Sequence, residues 1–174
     1  MDLKTYNETT GNTAVYPRDV NNFGLAYCFL GLIDEASELQ EVLWKESPDP
    51  MSVAKESGDC FWYLSQICNE YTLLNFGKIV VEACNIEHDL PTPLYIGKLA
   101  ILAGGVKKFY RDGKDLDINL FHNTLVSFFE DIISNMRYYK ISLSDTLEMN
   151  YAKLIKRRET NTIHGDGDNR EENS

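Results

Sequence analysis

The stretch Leu25-AYCFLGLIDEASELQEVLW-Lys45 repeats its apolar residues at helical spacing, and it contains two acids three residues apart, Glu35 and Glu38. Each residue of an α-helix advances by about 100°, so the two carboxylates project from one face. A charge inside an apolar arc is unfavourable unless a cation compensates it. The residues that surround Glu35 on this face are Cys28, Gly31, Leu32, Leu39 and Val42.

A second stretch, Ser52-VAKESGDCFWYLSQIC-Asn69, has the same arrangement, with Glu56 three residues before Asp59. Neither helix face carries a lysine or an arginine that would match its acids. Convergent carboxylates without such a partner predict a divalent metal site, because hard oxygen ligands are the ones that Mg²⁺ prefers. Glu56 is surrounded by Val53, Cys60, Tyr63, Leu64 and Ile67.

The composition limits the class of protein. The chain has 174 residues and a formal net charge of −10. It is therefore about one domain long, and too acidic for a general nucleic-acid-binding protein. It has no apolar run long enough to span a membrane and no signal-peptide core near its polar N-terminus. We expect a cytoplasmic protein whose cysteines are reduced core thiols; these are Cys28, Cys60, Cys68 and Cys84.

Helical periodicity continues through most of the chain, and no segment alternates long enough to require a strand, so the sequence predicts an all-α fold. Asp49 followed by proline, and Ser142 with an acid three residues later, are typical of helix starts. We expect one helical domain, 1–160, followed by a flexible acidic tail, 161–174. The predicted helices cover residues 22–45, 50–71, 75–87, 95–110, 118–139 and 143–158.

The two halves of this domain, 18–90 and 91–160, resemble each other weakly. When the two acidic helices are laid on residues 98–111 and 123–139, each acid meets a neutral residue. An internal duplication with one degenerate half would explain this pattern. Two unrelated amphipathic hairpins would also explain it. The aligned pairs are Glu35 with Leu102, Glu38 with Gly105, Glu56 with Thr124 and Asp59 with Ser127.

These features resemble the all-α NTP pyrophosphohydrolases, which include MazG-type proteins and the dimeric dUTPases and dCTPases. The resemblance rests on Glu35-x-x-Glu38 and on Glu56-x-x-Asp59 within Lys55-ESGDCFWYL-Ser65. Leu143-SDTLEMNYAKLIKRR-Glu159 is similar to the closing helix of that family. Ile163-HGDGDNR-Glu171 is similar to the tail of phage-type MazG-like proteins. Most of the chain is covered, although residues 71–95 match little.

The resemblance implies a helical bundle and a reaction. Such enzymes cleave a nucleoside triphosphate between its α and β phosphates, with Mg²⁺ or its substitute Mn²⁺, and release the monophosphate and pyrophosphate. Glu38 or Glu35 would also orient or deprotonate the attacking water. A deoxynucleotide substrate and a homodimer are expected by analogy, with the apolar stripe 121–133 as the candidate interface. The implied metal ligands are Glu35, Glu38, Glu56 and Asp59.

Six cationic, polar or aromatic residues are candidates for substrate contacts. The closing helix of the family implies Asn150, Lys153 and Arg157, although an exposed basic face would explain these residues equally well. Tyr63 could stack on the base or pack in the core. Lys45 could reach a phosphate or be a solvated lysine at a helix end. Arg170 could belong to a flap that closes over the phosphates or to a disordered tail.

Two other classes of protein fit parts of the pattern. A carboxylate-bridged di-iron or di-manganese bundle needs Glu-x-x-His on two helices, and no histidine follows Glu35, Glu38 or Glu56 at that spacing. A non-catalytic nucleotide-sensing or assembly module would keep the helices and lose the carboxylates, as the second half has done. Metal-dependent release of pyrophosphate distinguishes the enzyme from both.

Overall fold

The computed structural model describes residues 1–18, 23–86, 91–160 and 162. Within these residues the regular elements are helices and none is a strand, which confirms the predicted all-α class. Of the predicted tail only Thr162 is described. The helices are α1 (Leu3–Thr10), α2 (Gly24–Leu43), α3 (Pro50–Glu70), α4 (Phe76–Cys84), α5 (Gly97–Asp112), α6 (Ile118–Tyr138) and α7 (Leu143–Glu159), with a short 3-10 turn at Gly11–Thr13.

Helix α1 is absent from the predicted helices, because its residues are mostly polar. Its first turn is capped by Asp2, whose carboxylate accepts a hydrogen bond from the Thr5 amide at 2.9 Å. Tyr6 and Thr10, one turn apart, are fully buried. Through this face α1 packs on α3, α4 and α7.

Helices α2 and α3 form an antiparallel hairpin that carries the predicted acids. Helix α3 begins as predicted, since Asp49 accepts a hydrogen bond from the Ser52 amide at 2.9 Å and Pro50 occupies the first turn. The two helices approach each other closely at Gly31, where an added Cβ would lie 2.1 Å from the ring of Tyr63. Glycine at this position lets the tyrosine ring lie directly against α2.

The helix that follows each hairpin packs against the other hairpin. Helices α5 and α6 form the second hairpin; α4, which follows α3, packs on α6, whereas α7, which follows α6, packs on α3. Helices α3 and α6 have 21 residues each. The connections on either side of them match in length to within one residue. The elements of the two halves thus occur in the same order and at the same spacing, as a duplication would require.

The apolar stripe 121–133 of α6 is used inside the chain. Phe128, Phe129 and Ile132 are fully buried, and the ring centroid of Phe129 lies 5.1 Å from that of Phe61 in α3. The expectation that this stripe forms a dimer interface is wrong, because its side chains fill the core between the two hairpins. A homodimer would require a different surface.

The close approach at Gly31 makes a prediction about stability. Gly31→Ala should lower the free energy of unfolding by about 1–3 kcal/mol, since the new methyl group overlaps the packed ring of Tyr63. Gly104→Ala in α5 is the matched control, because a Cβ there has no neighbour within 4 Å. This control should raise the free energy of unfolding by up to about 1 kcal/mol through helix propensity. Urea unfolding followed by circular dichroism measures both, and a stabilised Gly31→Ala variant would contradict the packing.

Candidate metal centre

Three of the four predicted metal ligands lie together between α2 and α3. One carboxylate oxygen each from Glu35, Glu38 and Glu56 can be chosen so that all three lie within 4.8 Å of one another. Glu35 and Glu56 are partly buried, whereas Glu38 is exposed. The helical spacing explains this geometry, since the i and i+3 positions of α2 face the first turns of the antiparallel α3. Such a group of oxygens has the chemistry to bind a hard divalent cation.

Asp59, the fourth predicted ligand, faces the closing helix. Its Oδ1 accepts a hydrogen bond from Asn150 Nδ2 at 2.6 Å, and its Oδ2 accepts one from Lys153 Nζ at 2.5 Å. The side chains of Asp59 and Lys153 are 15% and 20% exposed, so this ion pair is largely shielded from solvent. Asp59 therefore connects the carboxylate group to α7 and is not among the three clustered acids.

The pKa of Glu35 is affected by its burial and by the carboxylates near it. Burial, followed by the charges of Asp59 and Glu38, raises the pKa of Glu35 to about 8, while Lys153 opposes the shift. A carboxyl group in this setting retains its proton near neutral pH when no cation is close enough to replace it. A divalent ion among these oxygens would favour the ionised form. The donor set and its electrostatics thus fit a divalent metal ion.

Helix α7 reaches the site through a buried asparagine. Asn150 is only 2% exposed, and its Oδ1 accepts a hydrogen bond from the Tyr6 hydroxyl at 2.8 Å. A Cβ added to Gly58 of α3 would lie 3.0 Å from the Cβ of Asn150, so the two helices are close-packed there. This contact brings the predicted Asn150 and Lys153 to Asp59.

Tyr63 lies one turn beyond Asp59 in α3. Its ring packs against Gly31 and meets the ring of Trp62 edge-on at a centroid distance of 4.9 Å. The Trp62 indole in turn donates a hydrogen bond to Thr13 Oγ1 at 2.9 Å. Tyr63 is partly exposed beside the carboxylates, where packing and substrate contact are compatible.

The other predicted substrate residues have different positions. Lys45 is exposed and lies beyond the end of α2, in the turn that leads to α3. Arg157 is buried, one turn after Lys153 in α7. Arg170 lies outside the described residues. The structure therefore brings Asn150 and Lys153 directly to the acids, whereas for Lys45 it shows only an exposed side chain at the end of the hairpin.

Sequence reasoning missed Tyr6, the residue of α1 that reaches Asn150. Two signals in the sequence point to it: Asp2 is a typical N-cap residue, and Leu3, Tyr6 and Thr10 have the spacing of one helix face. The missing information is tertiary, since only the packing of α1 on α7 connects Tyr6 to the site.

Two further features of the structure are the state of the four cysteines and the apolar character of the helices. Cys28, Cys60, Cys68 and Cys84 are free thiols, the first three of them buried and the last partly buried. Across the described residues, no helix combines the length and the apolar character that crossing a membrane requires.

Comparison of the chain with models of protein families, with curated proteins and with solved structures found no match.

The raised pKa of Glu35 makes a prediction about stability and pH. The folded state holds this proton more tightly than the unfolded chain, so stability falls as the pH rises from the range of an exposed glutamate to about 8. Glu35→Gln removes this loss. In EDTA its midpoint of thermal unfolding should exceed that of the wild type by a few degrees at pH 8, and the difference should shrink towards pH 4.

The matched control is Glu41→Gln, which alters an exposed glutamate of the same helix and should leave the pH dependence of stability unchanged. Thermal unfolding followed by circular dichroism between pH 4 and pH 8 measures all three proteins. A Glu35→Gln protein less stable than the wild type at pH 8 would contradict the electrostatic account.

Proposed function

We propose that this chain is a metal-dependent hydrolase of nucleoside triphosphates that releases the monophosphate and pyrophosphate. Deoxynucleoside triphosphates are the proposed substrates. The observation that supports this proposal is the grouping of Glu35, Glu38 and Glu56 within 4.8 Å between two helices. The resemblance to the all-α NTP pyrophosphohydrolases supplies the reaction. Mg²⁺ is the proposed cofactor and Mn²⁺ its substitute, and a reduced cytoplasmic setting suits the free thiols.

The three clustered glutamates would hold the metal, and Asp59, at the border between this group and α7, is the fourth proposed ligand. Bound Mg²⁺ would neutralise the triphosphate and lower the pKa of a coordinated water. Glu38 is the exposed member of the cluster, so water reaches it most readily. We assign Glu38 to orient the water and accept its proton, with Glu35 as the more buried ligand. Attack of this water would break the link between the α and β phosphates, so that one product keeps the bridging oxygen, the other gains the water oxygen, and the products are the monophosphate and pyrophosphate.

Helix α7 supplies cationic side chains on the same side of α3. Lys153 Nζ lies 2.5 Å from Asp59 Oδ2, so an ammonium group already stands beside the carboxylates. A bound triphosphate offers this ammonium group a second anionic partner. We propose that Lys153 contacts the phosphates, with Asn150 as its neighbour and Tyr63 beside the base or sugar. Lys45, Arg157 and Arg170 are further proposed substrate contacts.

We also propose that the chain is an internal duplication with a single active half. The matching order of helices supports this, as do the neutral residues at the four aligned positions. In the second half the position aligned with Tyr63 is Asp131, and it pairs with Lys98 at 2.6 Å. That half neutralises its buried acid with its own lysine. It would therefore contribute packing to the active half, in the way a partner subunit does.

The test is the release of pyrophosphate from a panel of dNTPs and NTPs, with Mg²⁺, with Mn²⁺ and with EDTA. Wild-type turnover should require metal. Glu56→Gln should lower it at least about a hundredfold by removing a ligand, with the helical circular dichroism signal unchanged. Glu41→Gln is the control, since this exposed residue of α2 lies outside the cluster, and it should keep wild-type turnover.

Each other outcome contradicts a definite part of the proposal. Full turnover by Glu56→Gln would remove the assignment of the site. Metal-dependent nucleotide binding without hydrolysis would favour the nucleotide-sensing module. Neither turnover nor metal binding by the wild type would make the carboxylate group a structural feature alone.

A further inference from the structure

A continuous chain of hydrogen bonds leads from α1 to the border of the carboxylate group. The Tyr6 hydroxyl lies 2.8 Å from Asn150 Oδ1, and Asn150 Nδ2 lies 2.6 Å from Asp59 Oδ1. Tyr6 is fully buried and Asn150 is nearly so. Solvent is therefore excluded from the Tyr6–Asn150 bond, and the Asn150–Asp59 bond is largely shielded, since the Asp59 side chain is 15% exposed.

The chemistry of the three groups sets the direction of each bond. An ionised carboxylate only accepts hydrogen bonds, so Asn150 must turn its NH₂ group towards Asp59. The amide oxygen then faces Tyr6, whose hydroxyl must donate. Burial, followed by the charge of Asp59, raises the pKa of Tyr6 well above its usual range, so the phenol keeps this proton. A flipped amide would place two oxygens in contact.

Asp59 is held by two partners of different character. Lys153 is a long side chain with a flexible stem, whereas Asn150 is short, buried and packed against Gly58. The rigid partner determines the orientation of the carboxylate, and the Tyr6 hydroxyl determines the orientation of that partner.

The Tyr6 hydroxyl is not what anchors α1. Thr10 Oγ1 lies 2.7 Å from Ser65 Oγ, and the same serine hydroxyl donates to Asn7 Oδ1 at 2.9 Å. These contacts attach α1 to Ser65 of α3, about two helical turns beyond Gly58, which packs against Asn150. A change confined to the Tyr6 hydroxyl therefore alters the orientation of Asn150 while leaving other α1–α3 bonds in place.

We propose that Tyr6 is a positioning residue of the metal site: through Asn150, its hydroxyl holds the Asp59 carboxylate beside Glu35, Glu38 and Glu56 and thereby sets the affinity for a divalent cation. This inference rests on the proposed function, since it concerns the same site. Removing the hydroxyl leaves Asn150 Oδ1 buried without its donor, and the amide and Asp59 then sample other orientations.

The test is calorimetric titration of the full chain with MgCl₂ and with MnCl₂, without nucleotide. Tyr6→Phe should raise the Kd for each metal about threefold to tenfold. Saturating Mg²⁺ should restore most of its turnover, a recovery that a general packing defect would not show. Thr10→Val is the matched control, since it removes a buried hydrogen bond of the same helix, and its Kd should equal that of the wild type.

A double-mutant cycle tests the route of the effect. In an Asn150→Ala background, Tyr6→Phe should change the Kd no further, because its action passes through the amide. Additive effects, an unchanged Kd in Tyr6→Phe, or an equal rise in Thr10→Val would each overturn the inference and leave the proposed function standing. Metal binding that depends on Tyr6 without pyrophosphate release would overturn the function and leave the inference. A wild type that binds neither metal would overturn both.

Discussion

The gathering of negative charge between two packed helices is the constraint on which the rest of this structure depends. Glu35 and Glu56 lie partly buried within the α2–α3 hairpin, and the pKa of Glu35 is raised by burial and by its carboxylate neighbours. This arrangement is unfavourable unless positive charge reaches it. Helix α7 brings the ammonium group of Lys153 to the edge of the group at Asp59. One carboxylate oxygen from each of the three glutamates lies within 4.8 Å of the others, which is close enough to share a cation.

The second hairpin also contains a buried acid, Asp131, and a lysine of the same hairpin pairs with it. Asp131 is almost fully buried in α6, and Lys98 of α5 donates to it at 2.6 Å and to the Ser127 carbonyl at 2.9 Å. In the first hairpin the aligned positions hold Tyr63 and Gly31, which pack together without charge. The second hairpin therefore holds its buried acid with a lysine of its own, whereas Asp59 of the first hairpin is held by Lys153 of helix α7.

Much of this could be read from the sequence, for reasons that differ between elements. Helical periodicity places Glu35, Glu38 and Glu56 on facing sides because side-chain direction is local, and the cap at Asp49 is equally local. The orientation of Asp59 towards α7 was not predictable, since it depends on how distant helices cross. The contact of Tyr6 with Asn150 was not predictable either, since it depends on how the short polar helix α1 packs on α7. The stripe of α6 was correctly recognised as apolar, but spacing alone does not distinguish a chain's own core from an interface.

The most direct test of the metal site is an anomalous difference map from a crystal grown with MnCl₂, recorded at a wavelength where manganese scatters anomalously. We expect a peak between α2 and α3, at a manganese ion coordinated by oxygens of Glu35, Glu38 and Glu56. The absence of a peak at saturating manganese, in a map where the side chains of Glu35, Glu38 and Glu56 are well ordered, would contradict the metal site.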